Sequence, residues 1–322
     1  VAEGRAVRAV AAAALAAIAM CAPAAALEIE FDYRFDTNGF FTDLATGSPI
    51  AERRAVLEAA AGFFAPFADP LAAIDPGAGD RWRVRIVHPS LAGAAPVLDD
   101  LRVAGGAIRV FVGASASVPG VLGFATTGFA LEASGSDSFV SAVTTRGQSV
   151  TAGPGARDYG PWGGSIWFNS ANDWHFGLDT AGLFPGRPDL LTTATHELGH
   201  ILGFGVAASW FAQVDTANRF TGAASMALHG GPVALDSIAA HWAEGTISTR
   251  PGGAPQETLM DPTTVAGVRE LPTRLDYAAW RDIGWQVSAV PEPEAAWLTL
   301  VGLAATAFAA RRRRAGADRT PA

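Results

Sequence analysis

The chain has 322 residues, 49% hydrophobic and 17% charged, which is enough apolar content for a buried core and excludes a wholly disordered chain. Acidic residues outnumber basic ones by 31 to 23, and every basic residue is arginine. Between Leu27 and Val290 the balance is 27 acidic to 16 basic, a net of −11 that repels phosphate backbones and argues against nucleic-acid partners. The single cysteine, Cys21, excludes an intramolecular disulfide and a cysteine-built zinc site.

In chain order, Arg5 and Arg8 precede an apolar run over residues 9–21 and then Ala22-Pro23-Ala24-Ala25-Ala26. This reads as a secretory signal peptide over residues 1–26, so the remainder is expected outside the cytoplasm. Residues 27–36 alternate apolar and charged side chains, predicting a half-buried strand. Residues 49–67 have helical spacing, residues 81–88 predict a second strand and residues 107–113 a third. The glycine-rich stretch 120–164 is given no element, and residues 165–169 predict another strand. Strands interleaved with helices point to an α+β domain over residues 27–289.

Asp189 is placed to cap a helix beginning at Leu190, with Leu190, Ala194, Leu198 and Leu202 as its apolar row, widened by Leu191 and Ile201. The opposite face carries His196-Glu197-Leu198-Gly199-His200, an H-E-x-x-H pattern. Histidines four apart stand one turn above each other, so both imidazoles reach one zinc ion. Glu197 lies about 100° around the axis, where it can take a proton from an attacking water without ligating the metal. A catalytic zinc needs a third protein ligand, and His241, His229 and the carboxylates Glu244 and Glu257 are the candidates. His175 reads as a surface or hydrogen-bonded histidine and His88 as a strand end. Residues 169–179 are rich in oxygen donors, a composition shared by solvated loops and calcium loops.

His200 is followed by Ile201-Leu202-Gly203, and the H-E-x-x-H-x-x-G start resembles metzincin proteases. The histidine those enzymes place three residues after the glycine is Val206 here. Later come Ala240-His241-Trp242, then Thr258-Leu259-Met260-Asp261-Pro262, and finally Leu275-Asp276-Tyr277 leading to Ile283-Gly284-Trp285. That order resembles the leishmanolysin type, in which an insertion separates the glycine from a distant ligand histidine and a Met-turn follows. The resemblance spans residues 190–287. It implies a metzincin-like zincin, with a mixed twisted sheet, an active-site helix and a smaller C-terminal subdomain. It further implies His196, His200 and His241 as zinc ligands, Glu197 as general base and Met260 as the floor beneath the metal. Leishmanolysin-type enzymes are disulfide-rich and this chain is not, so its loops and cleft are expected to differ.

Val290-Pro291-Glu292-Pro293, an apolar stretch over residues 295–310 and the arginines 311–314 resemble the PEP-CTERM sorting signal, here over residues 290–315. The resemblance implies an exosortase-type processing enzyme as a partner, transient anchoring by the C-terminal helix, and an extracellular or cell-surface location in a Gram-negative bacterium. It also implies an association with exopolysaccharide and biofilm. An ordinary membrane anchor is the plainer alternative. The expected function is an exported zinc endopeptidase acting on protein or peptide substrates. A non-catalytic zinc-containing matrix protein and a zinc hydrolase of a non-peptide bond are the rivals.

Overall fold

The computed structural model describes residues 26–288, except 117; the expected signal peptide over residues 1–26 (Ala26 apart) and the expected sorting signal over residues 290–315 lie outside the described residues. The chain forms β1 (Glu28–Asp32), α1 (Ala51–Gly62), β2 (Arg81–Arg85), β3 (Val97–Asp99), β4 (Ala107–Ser115), β5 (Gly123–Thr127), β6 (Phe129–Ser134), α2 (Asp137–Thr145) and β7 (Gly163–Asn169). After these come α3 (Leu190–Ile201), α4 (Ala208–Phe211), β8 (Arg219–Phe220), α5 (Ala223–His229), β9 (Val233–Ala234), β10 (Ile247–Thr249), β11 (Pro255–Glu257) and α6 (Arg274–Asp282).

Four strands form the central sheet in the order β1-β4-β7-β5, with the first three parallel and β5 antiparallel at the edge. β7 is buried throughout and β4 nearly so, because both faces of the sheet are covered. The period-2 geometry of β4 divides its side chains between two cores. Ile108, Val110, Val112 and Ala114 join Val56, Leu57 and Ala60 of α1 and Leu190, Ala194 and Leu198 of α3. Phe111 points the other way, to Trp82 and Val84 of β2, Phe139 and Val143 of α2, and Trp162. The architecture is therefore mixed α and β, with the antiparallel sheet β3-β2-β6 and α2 on one side of the central sheet and α1 and α3 on the other.

Several boundaries differ from the sequence expectations for local reasons. The first strand stops at Asp32 because Asp36 folds the chain back, its carboxylate accepting the Phe40 and Phe41 N–H groups at 3.1 and 2.7 Å. The first helix ends at Gly62, and residues 63–66 continue as turns before Phe67 bridges to Val287. β2 ends at Arg85, beyond which His88 Nδ1 accepts the Ser90 and Leu91 N–H groups. The glycine-rich stretch holds β5, β6 and α2, whose N-cap Ser136 accepts the Phe139 N–H. α2 closes on Arg146 in the left-handed region, with φ 54°. The buried Arg146 guanidinium donates to the carbonyls of Ala72, Ala104, Ala107 and Pro161, tying three segments together, and burial lowers its pKa to about 10.

The elements after α3 are short and pack around an aromatic core of Phe204, Trp210, Phe220, Trp242 and Trp280. Two indoles serve the C-terminal end of α3, where helix carbonyls lack partners. Trp285 Nε1 donates to the Leu202 carbonyl at 2.7 Å, and Trp280 Nε1 reaches that of Gly199 at 3.4 Å. No described helix is long and apolar enough to cross a membrane.

Candidate metal centre

α3 starts as its sequence indicates. Asp189 accepts the Thr192 N–H and hydroxyl at 3.3 and 2.8 Å, and Arg269 grips the same carboxylate through two bonds of 2.8 Å. The apolar row Leu190, Ala194, Leu198 and Leu202 is buried. At about 2 kcal/mol per leucine, that burial offsets the cost of holding polar groups on the opposite face out of water. That face is itself covered, with His196 only 8% and Glu197 only 5% exposed.

His196, His200 and His241 come together with one ligand nitrogen of each within 4.8 Å of the others. Their outward nitrogens settle the tautomers. His196 Nδ1 donates to the Leu259 carbonyl at 2.8 Å, His200 Nδ1 to the Phe204 carbonyl at 2.9 Å and His241 Nδ1 to the Asp236 carboxylate at 2.9 Å. All three acceptors can only accept, so Nδ1 carries a proton and each ring turns its Nε2 inward. His200 Nε2 lies 3.1 Å from His196 Nε2 and 3.0 Å from His241 Nε2. Lone pairs that close repel one another with no proton between them, and a cation among them removes the conflict. Imidazoles ligating one metal at about 2.0–2.1 Å with tetrahedral angles stand about 3.3 Å apart, within a few tenths of an ångström of these separations. Burial and the neighbouring His241 push the pKa of His196 down to about 4, and burial with its histidine neighbours lowers that of His200. Both rings are therefore neutral at pH 7, as ligands must be. The three residues are positioned to hold a metal ion.

The surrounding loops explain why the rings converge. Gly203 ends the helical run with φ 101°, and a Cβ there would stand 2.7 Å from Tyr159 Cδ1. The turn it permits delivers the Phe204 carbonyl to His200. Gly199 has a different reason to be glycine: a Cβ would meet Met260 Sδ at 2.5 Å and Trp280 Cζ2 at 3.0 Å. The buried Met260 therefore packs directly against the helix between the two histidines. One residue back, the Leu259 carbonyl holds His196, while the Met260 carbonyl accepts the Trp242 N–H at 3.0 Å and so holds the residue after His241.

Asp276 organises this strap. Fully buried at the start of α6, it accepts Leu259 N–H at 3.1 Å, Met260 N–H at 3.4 Å, Trp242 Nε1 at 3.0 Å, and the Thr273 N–H and hydroxyl at 2.7 and 2.8 Å. One carboxylate thus joins the Met260 turn, the His241 loop and the N-terminus of α6. Burial raises its pKa in spite of these donors.

Glu197 sits between α3 and the edge strand β5. The Ala125 N–H donates to its carboxylate, and a Cβ on Gly123 would lie 2.9 Å from its Oε1, so the strand approaches this closely because position 123 has no side chain. Burial raises the Glu197 pKa to about 8.

Of the four candidates for a third ligand, the structure brings His241 to His196 and His200. His229 is exposed at the end of α5, and Glu244 and Glu257 group instead with Asp261. Val206, at the compact metzincin position, is exposed. His175 is buried, with Nε2 bonded to the Asp179 carbonyl at 2.8 Å. In the oxygen-rich loop, Asn169 spends its amide on the Val118 and Val121 carbonyls and its Oδ1 on the Ala171 N–H. Sequence reasoning missed Asp236 and Asp276. A carboxylate five residues before His241 was a usable signal for the first, because ligand histidines are usually oriented by such partners. For the second, only the capping pattern Thr273-x-x-Asp276 was visible. No protein-family model, curated protein or solved structure matches this chain.

Proposed function

We propose that this chain is a zinc-dependent endopeptidase of metzincin-like architecture, resembling the leishmanolysin type, that hydrolyses peptide bonds with Glu197 as general base. The observation that carries the reading is the convergence of the Nε2 atoms of His196, His200 and His241, with the buried carboxylate of Glu197 on the same helix as the first two. Three imidazoles are a donor set of catalytic zinc, which keeps one position open, whereas structural zinc has four protein ligands. Zinc, when bound, supplies Lewis acidity toward a water and a substrate carbonyl.

The remaining work falls to the chain's own side chains. The Nδ1–H bonds to Leu259, Phe204 and Asp236 hold the three rings in their ligand orientation. The Glu197 carboxylate takes the proton of the attacking water and delivers it to the leaving amine. β5 is the last strand of the central sheet and runs beside Glu197, and an edge strand is a template to which an extended peptide adds as a further strand. Phe124 on that strand is 57% exposed and offers apolar contact to such a peptide. The signal-peptide-like start and the PEP-CTERM-like end of the sequence support the reading of an exported protein processed by an exosortase-type enzyme.

Removing metal with a chelator should abolish cleavage of a mixed peptide library, and one equivalent of zinc per chain should restore it. Zinc-loaded protein that cleaves no peptide would overturn the reading in favour of a non-catalytic matrix protein.

A further inference from the structure

A second group of ligand atoms lies on the same loops and is built of oxygen. Glu244, Glu257 and Asp261 each put one carboxylate oxygen within 4.8 Å of the others. Asp261 is 1% exposed; its oxygens accept the Gly245 N–H at 3.2 Å and the Thr263 N–H at 3.0 Å, and the Thr263 hydroxyl donates to Glu244 Oε1 at 2.6 Å. Those donors are neutral and leave the negative charge in place.

A separate observation points to a ligand. Glu270 is 3% exposed, and its Oε2 is buried with no hydrogen-bond partner. Its carboxylate lies near enough to Asp261, Glu257 and Glu244 to feel their charge. Folded proteins seldom leave a buried carboxylate oxygen unpaired. Thr258, next to Glu257 in the chain, adds another fully buried oxygen without a partner. Burial first, and mutual repulsion after it, hold Asp261 up at about 6 and Glu270 at about 8.

We propose that Glu244, Glu257, Asp261 and Glu270 form a calcium site that clamps the loop carrying His241 to the turn carrying Met260. The donor set is hard oxygen throughout, with carboxylates that bind through one or both atoms, and Ca²⁺ takes six to eight such ligands in flexible geometry. Mg²⁺ demands a near-ideal octahedron, and zinc prefers the imidazoles nearby. Glu244 lies three residues after His241, Asp261 follows Met260, and the Glu270 N–H bonds Thr192 Oγ1 of α3 at 3.0 Å. One ion therefore ties together three segments that shape the histidine centre. The site shares no ligand with that centre and stands whether or not the chain cleaves peptides.

The test titrates calcium chloride into the zinc-loaded full chain by calorimetry and follows its melting temperature. The expected result is one calcium per chain and a melting temperature several degrees higher in millimolar calcium, with the same binding in Glu197→Gln. Glu270→Gln and Asp261→Asn should weaken binding at least tenfold and lose most of the thermal shift. Glu244→Gln, at the exposed rim where folding is not at stake, should weaken binding in the same direction. No calcium binding by the parent chain, or unchanged affinity in Glu244→Gln and Glu270→Gln, overturns the proposal. An equal response to magnesium chloride overturns the assignment to calcium.

Discussion

The three-histidine group and the carboxylate group meet on the loop that carries His241 and Glu244 and treat buried polarity in opposite ways. In the first, the far nitrogen of each ring is tied to a carbonyl or carboxylate, so the inward nitrogens keep their aim through bonds the protein makes itself. In the second, the ligands are carboxylates held by neutral donors, and Glu270 Oε2 has no partner at all. Neutral imidazoles cost far less to desolvate than carboxylates, so the first group is rigid on its own hydrogen bonds while the second leans on whatever brings positive charge. The two are joined through the chain itself, since Glu244 follows His241 and Asp261 follows Met260.

The comparison is sharpened first at Asp276, which holds the strap shared by both groups. Asp276→Asn should cost about 3 kcal/mol or more, because an NH2 group replaces one of the two accepting oxygens and either the Trp242 and Met260 donors on Oδ1 or the Leu259 and Thr273 donors on Oδ2 lose their acceptor. Urea unfolding measures this, and zinc affinity should fall in parallel as the Leu259 carbonyl moves. A stable variant that binds zinc normally would remove Asp276 from its positioning role.

At the histidine group, Asp236→Ala should lower zinc affinity about 10–100-fold by freeing the His241 ring. Competition against a chromogenic chelator reads the change, and unchanged affinity would mean that the His241 ring is held by something other than Asp236. Gly199→Ala should cost about 1–3 kcal/mol, since its methyl group enters the space of Met260 Sδ. Combining it with Met260→Ala should recover part of that loss in a double-mutant cycle. Additive losses would contradict direct packing of the thioether against the helix.

The smallest effect is a pH dependence at the carboxylate group. Glu270 is raised in the folded state from an ordinary 4.5 to about 8, so the folded chain binds more protons than the unfolded one between those values. Stability of the calcium-free chain should therefore fall as pH rises from about 4.5 to 8. Asp261, raised to about 6, adds to the lower part of that window, and Glu244 and Glu257 face both groups. Unfolding in chelator at pH 5, 6.5 and 8 should show a flatter slope for Glu270→Gln than for the parent chain.

Where one face met solvent or one apolar row faced the core, the sequence was readable. The Arg81-Trp82-Arg83-Val84 alternation became β2 because a strand with a wet face must alternate, and Asp189 with the leucine row marked the start of α3 to the residue. β5 and β6 left no such pattern: β5 is a short edge strand, and most of β6 is exposed. The histidine pair declared itself through i, i+4 spacing on a helix, whereas the third histidine lies 41 residues further on and was separable from its rivals only by folding. Glu244 and Glu257 were weighed beside the histidines, since nothing local shows that they group with Asp261 instead. Asp276 was hidden because its partners come from loops that only tertiary structure brings together.

The central claim is tested most directly by zinc content and peptide hydrolysis measured together on the parent chain, Glu197→Ala and His241→Ala. The account predicts one zinc in the parent and in Glu197→Ala, a severe zinc loss in His241→Ala, and hydrolysis at least about 100-fold slower in both variants. Full zinc occupancy in His241→Ala, or undiminished hydrolysis in Glu197→Ala, would contradict it.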